Sequence, residues 1–313
     1  MNRIRVRIAA AFALPVLAYG LALEFRPPNA IERSSALGSL AHLPEPLRRA
    51  LDPGDSFQLM PKLGPLDWLA NHDEPGQTFD EFVRSQPNRP EGRRRKIYLV
   101  PLGDLQGGGG PPMETLRQFA AAFFGLETAT LPALDLSSAR VRRRDTQMLT
   151  ADLLALLRAR LPDDAFALLG VTMTDLYPGP QWNFVFGQAS LRDRVGVYSF
   201  ARYDPKFYGK VAADAPRIIL RRSCHILAHE TGHMFGIQHC IWYQCVMNGS
   251  NNMDEFDSQP LDLCPVDLRK LQWSVGFDVR ERYRRLLAFY TQAGFHDEAD
   301  WLRARMQFIG SGR

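Results

Sequence analysis

The sequence predicts an α/β (α+β) fold with a mainly parallel sheet, and three observations support the prediction. Short apolar runs of strand character alternate with helical segments from residue 96 to residue 236, the order that produces a parallel sheet. Hydrophobic residues make up 45% of the 313 residues, which is enough for a sizeable buried core. The chain contains no internal repeat, so we expect globular domains and not a repeat array.

The predicted elements follow in order along this region. A buried strand, KIYLVPL, occupies residues 96–102, and the glycine run 107–110 breaks the chain before a helix at 113–125. The glycine run lacks the Gly-Lys-Ser/Thr of a phosphate-binding loop, so we interpret it as a connection. The remaining elements are a strand near 128–136, a helix near 146–160, strands at 165–173, 183–189 and 194–203, and a long helix at 216–236.

The two ends of the chain differ in character. Residues 1–23 combine a basic start with an uncharged apolar run, which predicts a signal peptide or a membrane anchor and therefore export or attachment. The alternative is a buried N-terminal helix in a cytoplasmic protein. Residues 24–92 are rich in proline, leucine and charge and predict an N-terminal extension. Residues 240–313 predict a small helical C-terminal lobe, with one helix beginning at Pro265 and others near 279–292 and 296–308.

The charge of the chain gives no support for a nucleic-acid partner. The formal net charge is +4, from 38 basic and 34 acidic residues. Arginine runs occur at 93–95 and 142–144, but neither is interleaved with aromatic residues as in a nucleic-acid-binding surface. We expect a monomer that contacts a membrane only through residues 1–23, if these are retained.

One short segment, AHETGHMFGIQHCIWYQCVMN, holds three histidines, a glutamate and two cysteines within 21 residues. His229 and His233 are four residues apart on the long predicted helix, so both side chains project from one face and can bind one ion. Gly236 can adopt a left-handed conformation and end the helix, which allows His239 to reach the same ion. Three imidazoles around zinc leave a fourth position open, as in catalytic zinc sites.

Glu230 follows the first of these histidines and is the candidate general base. It would take a proton from water on the attack step and pass it to the leaving amine. Isolated histidines in a helix more often satisfy hydrogen bonds in a core, but four of the seven histidines fall between His225 and His239. His225 lies one turn before His229 and could also be a ligand, but only the His229/His233 pair has a glutamate directly after its first histidine. We therefore assign His225 to the helix surface or to a position behind the ligands.

The complete pattern, from His229 to His239 with Met247 beyond it, matches the metzincin signature. With its cysteines and the segments MTDLYP, WNFVFGQAS, SFARY, LCPVDLRKLQ and VGFDVRERY, the sequence resembles the archaemetzincin family and its archaemetzincin-2-like branch. The resemblance implies a zinc metallopeptidase, a catalytic subdomain at 93–239 with a twisted five-stranded sheet and an antiparallel edge strand, and a long active-site helix. The segment at 183–189 is our candidate for that edge strand, and Met247 would form an apolar floor beneath the zinc.

The resemblance also implies a second, structural zinc ion, held by cysteines. Cys240, Cys245 and Cys264 match three of the family's four ligands, but Asp267 stands where the family has the fourth cysteine. Three outcomes follow: Asp267 completes a Cys3Asp site, Cys224 substitutes for it, or the site is empty and the first two cysteines are free or joined. We adopt the Cys3Asp interpretation, since a carboxylate oxygen is an acceptable zinc ligand.

The function predicted is hydrolysis of peptide bonds in a peptide or protein substrate. The family resemblance suggests aminopeptidase-like activity, while no acidic cluster that would hold a free α-amino group can be assigned. Two alternatives belong to other classes: a catalytically silent zinc-binding module that binds peptides or proteins, and a metallohydrolase acting on another substrate. Glu230 counts against the silent module, because a purely structural zinc site needs no base at that position.

Overall fold

The computed structural model describes residues Ala9–Ala10, 25–137 and 139–311. The predicted signal peptide or anchor at residues 1–23 lies outside these residues, apart from Ala9–Ala10. The described residues divide into two compact units. The first holds Ala9–Ala10, Pro90–Ala120 and Leu126–Met234, and the second holds residues 25–89, Ala121–Gly125 and residues 235–311. Within the described part of the chain, no helix combines the length and the apolar character needed to cross a membrane.

The strands and helices of the described residues are short apart from four long helices. The strands are β1 Ala9–Ala10, β2 Lys96–Pro101, β3 Thr128–Thr130, β4 Arg143–Arg144, β5 Gln147–Leu149, β6 Ala165–Thr172, β7 Leu176–Tyr177, β8 Gly187–Ser190 and β9 Val195–Ser199. The helices are α1 Ala30–Leu37, α2 Glu45–Leu51, α3 Trp68–Asn71, α4 Phe79–Arg84, α5 Met113–Phe124, α6 Thr150–Arg158, α7 Ala215–Met234, α8 Met253–Ser258, α9 Pro265–Val275, α10 Val279–Ala293 and α11 His296–Gly310.

The first unit is built around a twisted sheet with the strand order β1-β8-β9-β6-β2-β3. Strands β3, β2, β6 and β9 are parallel, and β8 runs antiparallel to β9. All eight residues of the central strand β6 are buried, as expected for a strand covered on both faces. The predicted mainly parallel five-stranded sheet with one antiparallel strand is therefore confirmed. The structure adds the two residues of β1, which pair with Gln188 and Gly187 on the outer side of β8.

Two predicted strands are shorter than expected. In the segment near 128–136 the strand ends at Thr130, because Pro132 soon follows and cannot donate to a strand ladder. Beyond it, Leu134 makes only an isolated bridge to Leu102. In the segment at 183–189, only residues from Gly187 onward join the main sheet. Val185 instead bridges to Leu176, at the edge of a second sheet with the order β4-β5-β7. Strands of two or three residues are too short for periodicity to reveal, so that second sheet was not predicted.

The second unit is mostly helical, and the predicted C-terminal helices are confirmed as α9, α10 and α11. Pro265 opens α9, Asp278 caps α10 by accepting a hydrogen bond from the Glu281 backbone N–H, and Gly294 ends α10 at φ +71°. Helices α1 to α4, from the predicted extension, belong to this same unit. The predicted boundaries at residues 23, 92 and 239 stay predictions.

Candidate active site

Helix α7 presents two of the predicted ligands in the first unit. Pro216 lies in its first turn, where the missing N–H is tolerated, and every residue from Ser223 to Met234 is buried. The Nε2 atoms of His229 and His233 are 3.0 Å apart. Zinc bound to nitrogen at about 2.0–2.1 Å in a tetrahedral site separates two ligand nitrogens by about 3.3 Å. The spacing of the two rings therefore fits a shared zinc ion.

Glu230, between these histidines, has the environment of a reactive carboxylate. Its side chain is fully buried, and neither carboxylate oxygen has a hydrogen-bond partner among the residues that the structure describes. Burial raises the pKa of Glu230 to about 8. A buried carboxylate without a protein partner is unfavourable unless it serves a cation or a reacting group, and a nearby cation would favour its ionised form.

Two further residues of α7, His225 and Cys224, are buried. His225 is fully buried, which overturns the helix-surface interpretation and leaves a position behind the ligands. Its ring centroid is 6.5 Å from that of His229, and burial, followed by the charge of Arg221, keeps the pKa of His225 well below its usual value. Cys224, one residue earlier, is also fully buried in the first unit.

The segment after α7 begins at a tight turn in the second unit. The helix ends at Met234, and Gly236 has φ +83°, a conformation that side chains other than glycine rarely adopt. A Cβ atom on Gly236 would lie 2.9 Å from the Cβ of Pro87, so space as well as backbone conformation requires glycine here.

His239, the third predicted ligand, contacts a residue that the sequence reasoning missed. Its Nδ1 lies 2.8 Å from Oε1 of Glu74, and the Trp68 Nε1–H donates to the same oxygen at 2.9 Å. Burial alone would raise the pKa of Glu74, but the hydrogen bonds from His239 and Trp68 outweigh it and lower that pKa below its usual value. Glu74 precedes His239 by 165 residues, so no local spacing signals the pair.

The second unit also brings together the four residues predicted for the second zinc ion. The candidate ligand atoms of Cys240, Cys245, Cys264 and Asp267 all lie within 4.8 Å of one another, and all four residues are buried. The Sγ atoms of Cys240 and Cys264 are 3.6 Å apart, and Asp267 Oδ2 is 3.4 Å from the Sγ of Cys245. Two thiolates bound to zinc at about 2.3 Å are separated by about 3.8 Å, so the cluster fits one ion.

The elements around this cluster explain its geometry. Cys264 precedes the first turn of α9 and Asp267 lies within that turn, so one helix start supplies two of the groups. The side chain of Asn248 accepts from the backbone N–H of Cys245 at 2.7 Å and donates to the carbonyl of Cys240 at 2.8 Å, which fixes the loop between them. Cys240, Cys245 and Cys264 are free thiols, and Cys224 is not among the clustered groups.

A buried lysine that the sequence reasoning missed accompanies Asp267. Lys270 Nζ lies 2.8 Å from Asp267 Oδ1, and the two side chains are 1% and 0% exposed. Burial and the adjacent Cys240 raise the pKa of Asp267 to about 7, against the lowering effect of Lys270. Burial raises the pKa values of Cys245 and Cys264. For Cys240 the hydrogen bonds from these two thiols and the charge of Lys270 overcome burial and lower the pKa.

Met247 is fully buried in the same unit, as expected of a residue that forms an apolar floor. Its carbonyl accepts a hydrogen bond from the backbone N–H of Cys240 at 2.9 Å, which ties the methionine to the start of the cysteine loop.

Comparison with known proteins identifies the family. The sequence profile of peptidase family M54 matches residues 131–273. Archaemetzincin-2 of Homo sapiens is 39% identical over 258 residues, which cover 71% of each chain. Archaemetzincin-1 of Mus musculus is 36% identical over 259 residues, or 71% of this chain and 51% of that protein. The crystal structure of archaemetzincin from Methanopyrus kandleri is 29% identical, covers 59% of this chain and 97% of its own, and gives a TM-score of 0.44. This chain belongs to the archaemetzincins, the zinc metallopeptidases of peptidase family M54.

Proposed function

We propose that this protein hydrolyses peptide bonds at a zinc ion bound by His229, His233 and His239, with Glu230 as the general base. The observation that carries the proposal is the buried carboxylate of Glu230, which has no hydrogen-bond partner among the described residues and is flanked by two imidazoles with nitrogens 3.0 Å apart. The left-handed turn at Gly236 supports the third ligand, because it ends the helix three residues before His239.

The residues of the chain have distinct tasks in this reaction. Zinc, when bound, supplies a Lewis acid that polarises the scissile carbonyl and makes a water molecule more acidic. His229 and His233 are held one turn apart on a buried helix, so their orientation is fixed before any ligand arrives. Glu230 takes the proton of the attacking water and delivers it to the leaving nitrogen. Its burial keeps bulk water from competing for that proton.

The second ion has a structural role in this proposal. Cys240, Cys245, Cys264 and Asp267 form a closed set of four donors, and a closed tetrahedral set is typical of structural zinc. Such an ion would tie the loop after the active-site helix to the start of α9, since the ligands come from both. The free thiols of Cys240, Cys245 and Cys264 are compatible with metal binding.

A digest of a mixed peptide library tests the reaction class. One sample contains the zinc-loaded protein, a second contains the protein with a chelator, and a third receives zinc after the chelator. We expect products by mass spectrometry in the first and third samples only. If no sample gives products while the bound zinc content is normal, the proposal fails, and the silent zinc-binding module or a hydrolase of other substrates takes its place.

The same library tests the proposed aminopeptidase-like mode of cleavage. Half of the peptides carry an acetylated N-terminus and are otherwise identical. An aminopeptidase removes residues from the free peptides and leaves the acetylated ones intact, whereas an endopeptidase cuts both sets at the same internal bonds.

A further inference from the structure

We propose that Glu74 is a positioning residue for His239: its carboxylate binds the Nδ1–H of the imidazole and so presents Nε2 as the metal-binding nitrogen. The inference rests on the proposed function, in which His239 is a zinc ligand. Glu74 lies in the segment before α4, far in sequence from every ligand. A segment from the N-terminal part of the second unit would therefore support one of the zinc ligands.

The contact defines which ring nitrogen carries the proton. Nδ1 of His239 is 2.8 Å from Oε1 of Glu74, a normal hydrogen-bond distance. An ionised carboxylate can only accept, so the imidazole nitrogen facing it must donate. In a neutral imidazole the other nitrogen, Nε2, then holds the free lone pair. A histidine that binds metal through one nitrogen commonly donates through the other to a carboxylate, which fixes the tautomer and makes the ligand more basic.

The carboxylate is itself held in place. The indole N–H of Trp68 donates to the same Oε1 atom at 2.9 Å, and the Trp68 ring packs edge-on against His239 with centroids 5.1 Å apart. The His72 ring stacks on the same indole, with centroids 3.6 Å apart and planes 8° apart. The backbone N–H of Trp68 donates to Glu255 at 2.8 Å, which anchors the start of α3. Glu74 thus meets His239 from a fixed direction.

A surface ion pair between a glutamate and a protonated histidine is the simpler explanation of the contact. The burial argues against it, because the side chains of His239 and Glu74 are only 11% and 23% exposed. An exposed pair contributes little and needs no such support. The indole bond to the carboxylate also constrains Glu74 more than a solvated ion pair requires. A positioning role requires the neutral ring to hold its proton on Nδ1, and this tautomer can be measured.

The experiment measures zinc affinity by competition with a fluorescent chelator for the full chain and four variants. These are Glu74→Gln, Trp68→Phe, His239→Ala, and the matched control Glu45→Gln, which changes an exposed glutamate. Two bound zinc ions are expected, one held by histidines and one by the cysteine cluster, and only the affinity for the histidine-bound ion should change in these variants. Loss of a carboxylate that orients a metal-binding histidine weakens metal binding about 10-fold to 100-fold. We expect the affinity for the histidine-bound zinc ion to fall about 10-fold in Glu74→Gln, less in Trp68→Phe and more in His239→Ala. The control should keep the wild-type affinity.

A second readout is independent of zinc affinity and of folding of the variants. In the zinc-free wild-type protein, at a pH high enough for the His239 ring to be neutral, the ¹⁵N shifts of that ring should show the proton on Nδ1 and none on Nε2. A neutral ring with its proton on Nε2 overturns the inference. If His239→Ala lowers zinc affinity and Glu74→Gln does not, the inference fails while the proposed function stands. If His239→Ala leaves zinc affinity unchanged, the proposed function itself fails.

Discussion

Replacing Lys270 with methionine should destabilise the protein strongly, because it leaves a buried carboxylate without its partner. Nζ of Lys270 lies 2.8 Å from Oδ1 of Asp267, and the two side chains are 1% and 0% exposed, respectively. Those exposures place the pair with buried ion pairs, for which loss of one partner costs about 3–5 kcal/mol, and not with surface pairs worth about 0–1 kcal/mol. Methionine retains most of the packing of the lysine stem, so we expect about 3 kcal/mol of lost unfolding free energy.

Urea unfolding of the zinc-free protein measures this effect. With an m-value of about 3 kcal/mol/M, a loss of 3 kcal/mol lowers the urea midpoint by about 1 M. Lys62→Met is the control, since Lys62 is exposed and its replacement should change the unfolding free energy by less than about 0.5 kcal/mol. The double variant Asp267→Asn with Lys270→Met should recover much of the loss, because no unpaired charge is left. Added zinc should reduce the difference in unfolding free energy between wild type and Lys270→Met, because Asp267 then has another cationic partner. Equal midpoints for Lys270→Met and the control would refute the reasoning.

Two other predictions concern the turn after α7 and the pH dependence of stability. Gly236→Ala should lower the unfolding free energy by about 1–2 kcal/mol, because alanine is strained at φ +83° and its Cβ would meet Pro87; an unchanged urea midpoint would contradict this. Burial raises the pKa of Glu255 from its usual 4.5 to about 7, against the hydrogen bonds from the backbone N–H groups of Asn251 and Trp68. The folded state therefore binds this proton more tightly than the unfolded chain, and stability contributed by the protonated form is lost as pH rises through about 7. The unfolding free energy of Glu255→Gln, minus that of wild type, should therefore be larger at about pH 8 than at about pH 5. If this difference does not change with pH, the prediction is wrong.

The parts of the fold and site that the sequence predicted are those encoded by local spacing. The face shared by His229 and His233 follows from their four-residue separation on one helix, and the parallel sheet follows from alternating strands and helices. Glu74 could not be found this way, because its partner His239 lies 165 residues later. Lys270 was within reach, since it stands one helical turn after Asp267, but a charged residue at that spacing is usually exposed.

Other misses have a similar physical origin. The burial of His225 depends on what packs against α7 and not on its position in the helix. The strand predicted at 183–189 contained the correct hydrophobic residues, but Val185 pairs with Leu176 in another sheet, a long-range choice that periodicity does not encode. The short strands β4, β5 and β7 carry too few residues for any pattern.

The most direct test of the central claim compares wild type with Glu230→Gln on one peptide that the wild-type protein cleaves. Both proteins are first shown to hold the same amount of zinc, so that only the base differs. Glutamine keeps the size of the side chain but cannot take a proton, and loss of a general base lowers kcat/KM by about 10²-fold to 10⁴-fold. We predict a fall within that range for Glu230→Gln and none for the exposed control Glu45→Gln. Values of kcat/KM within about twofold of wild type would contradict the assignment of Glu230 as the base.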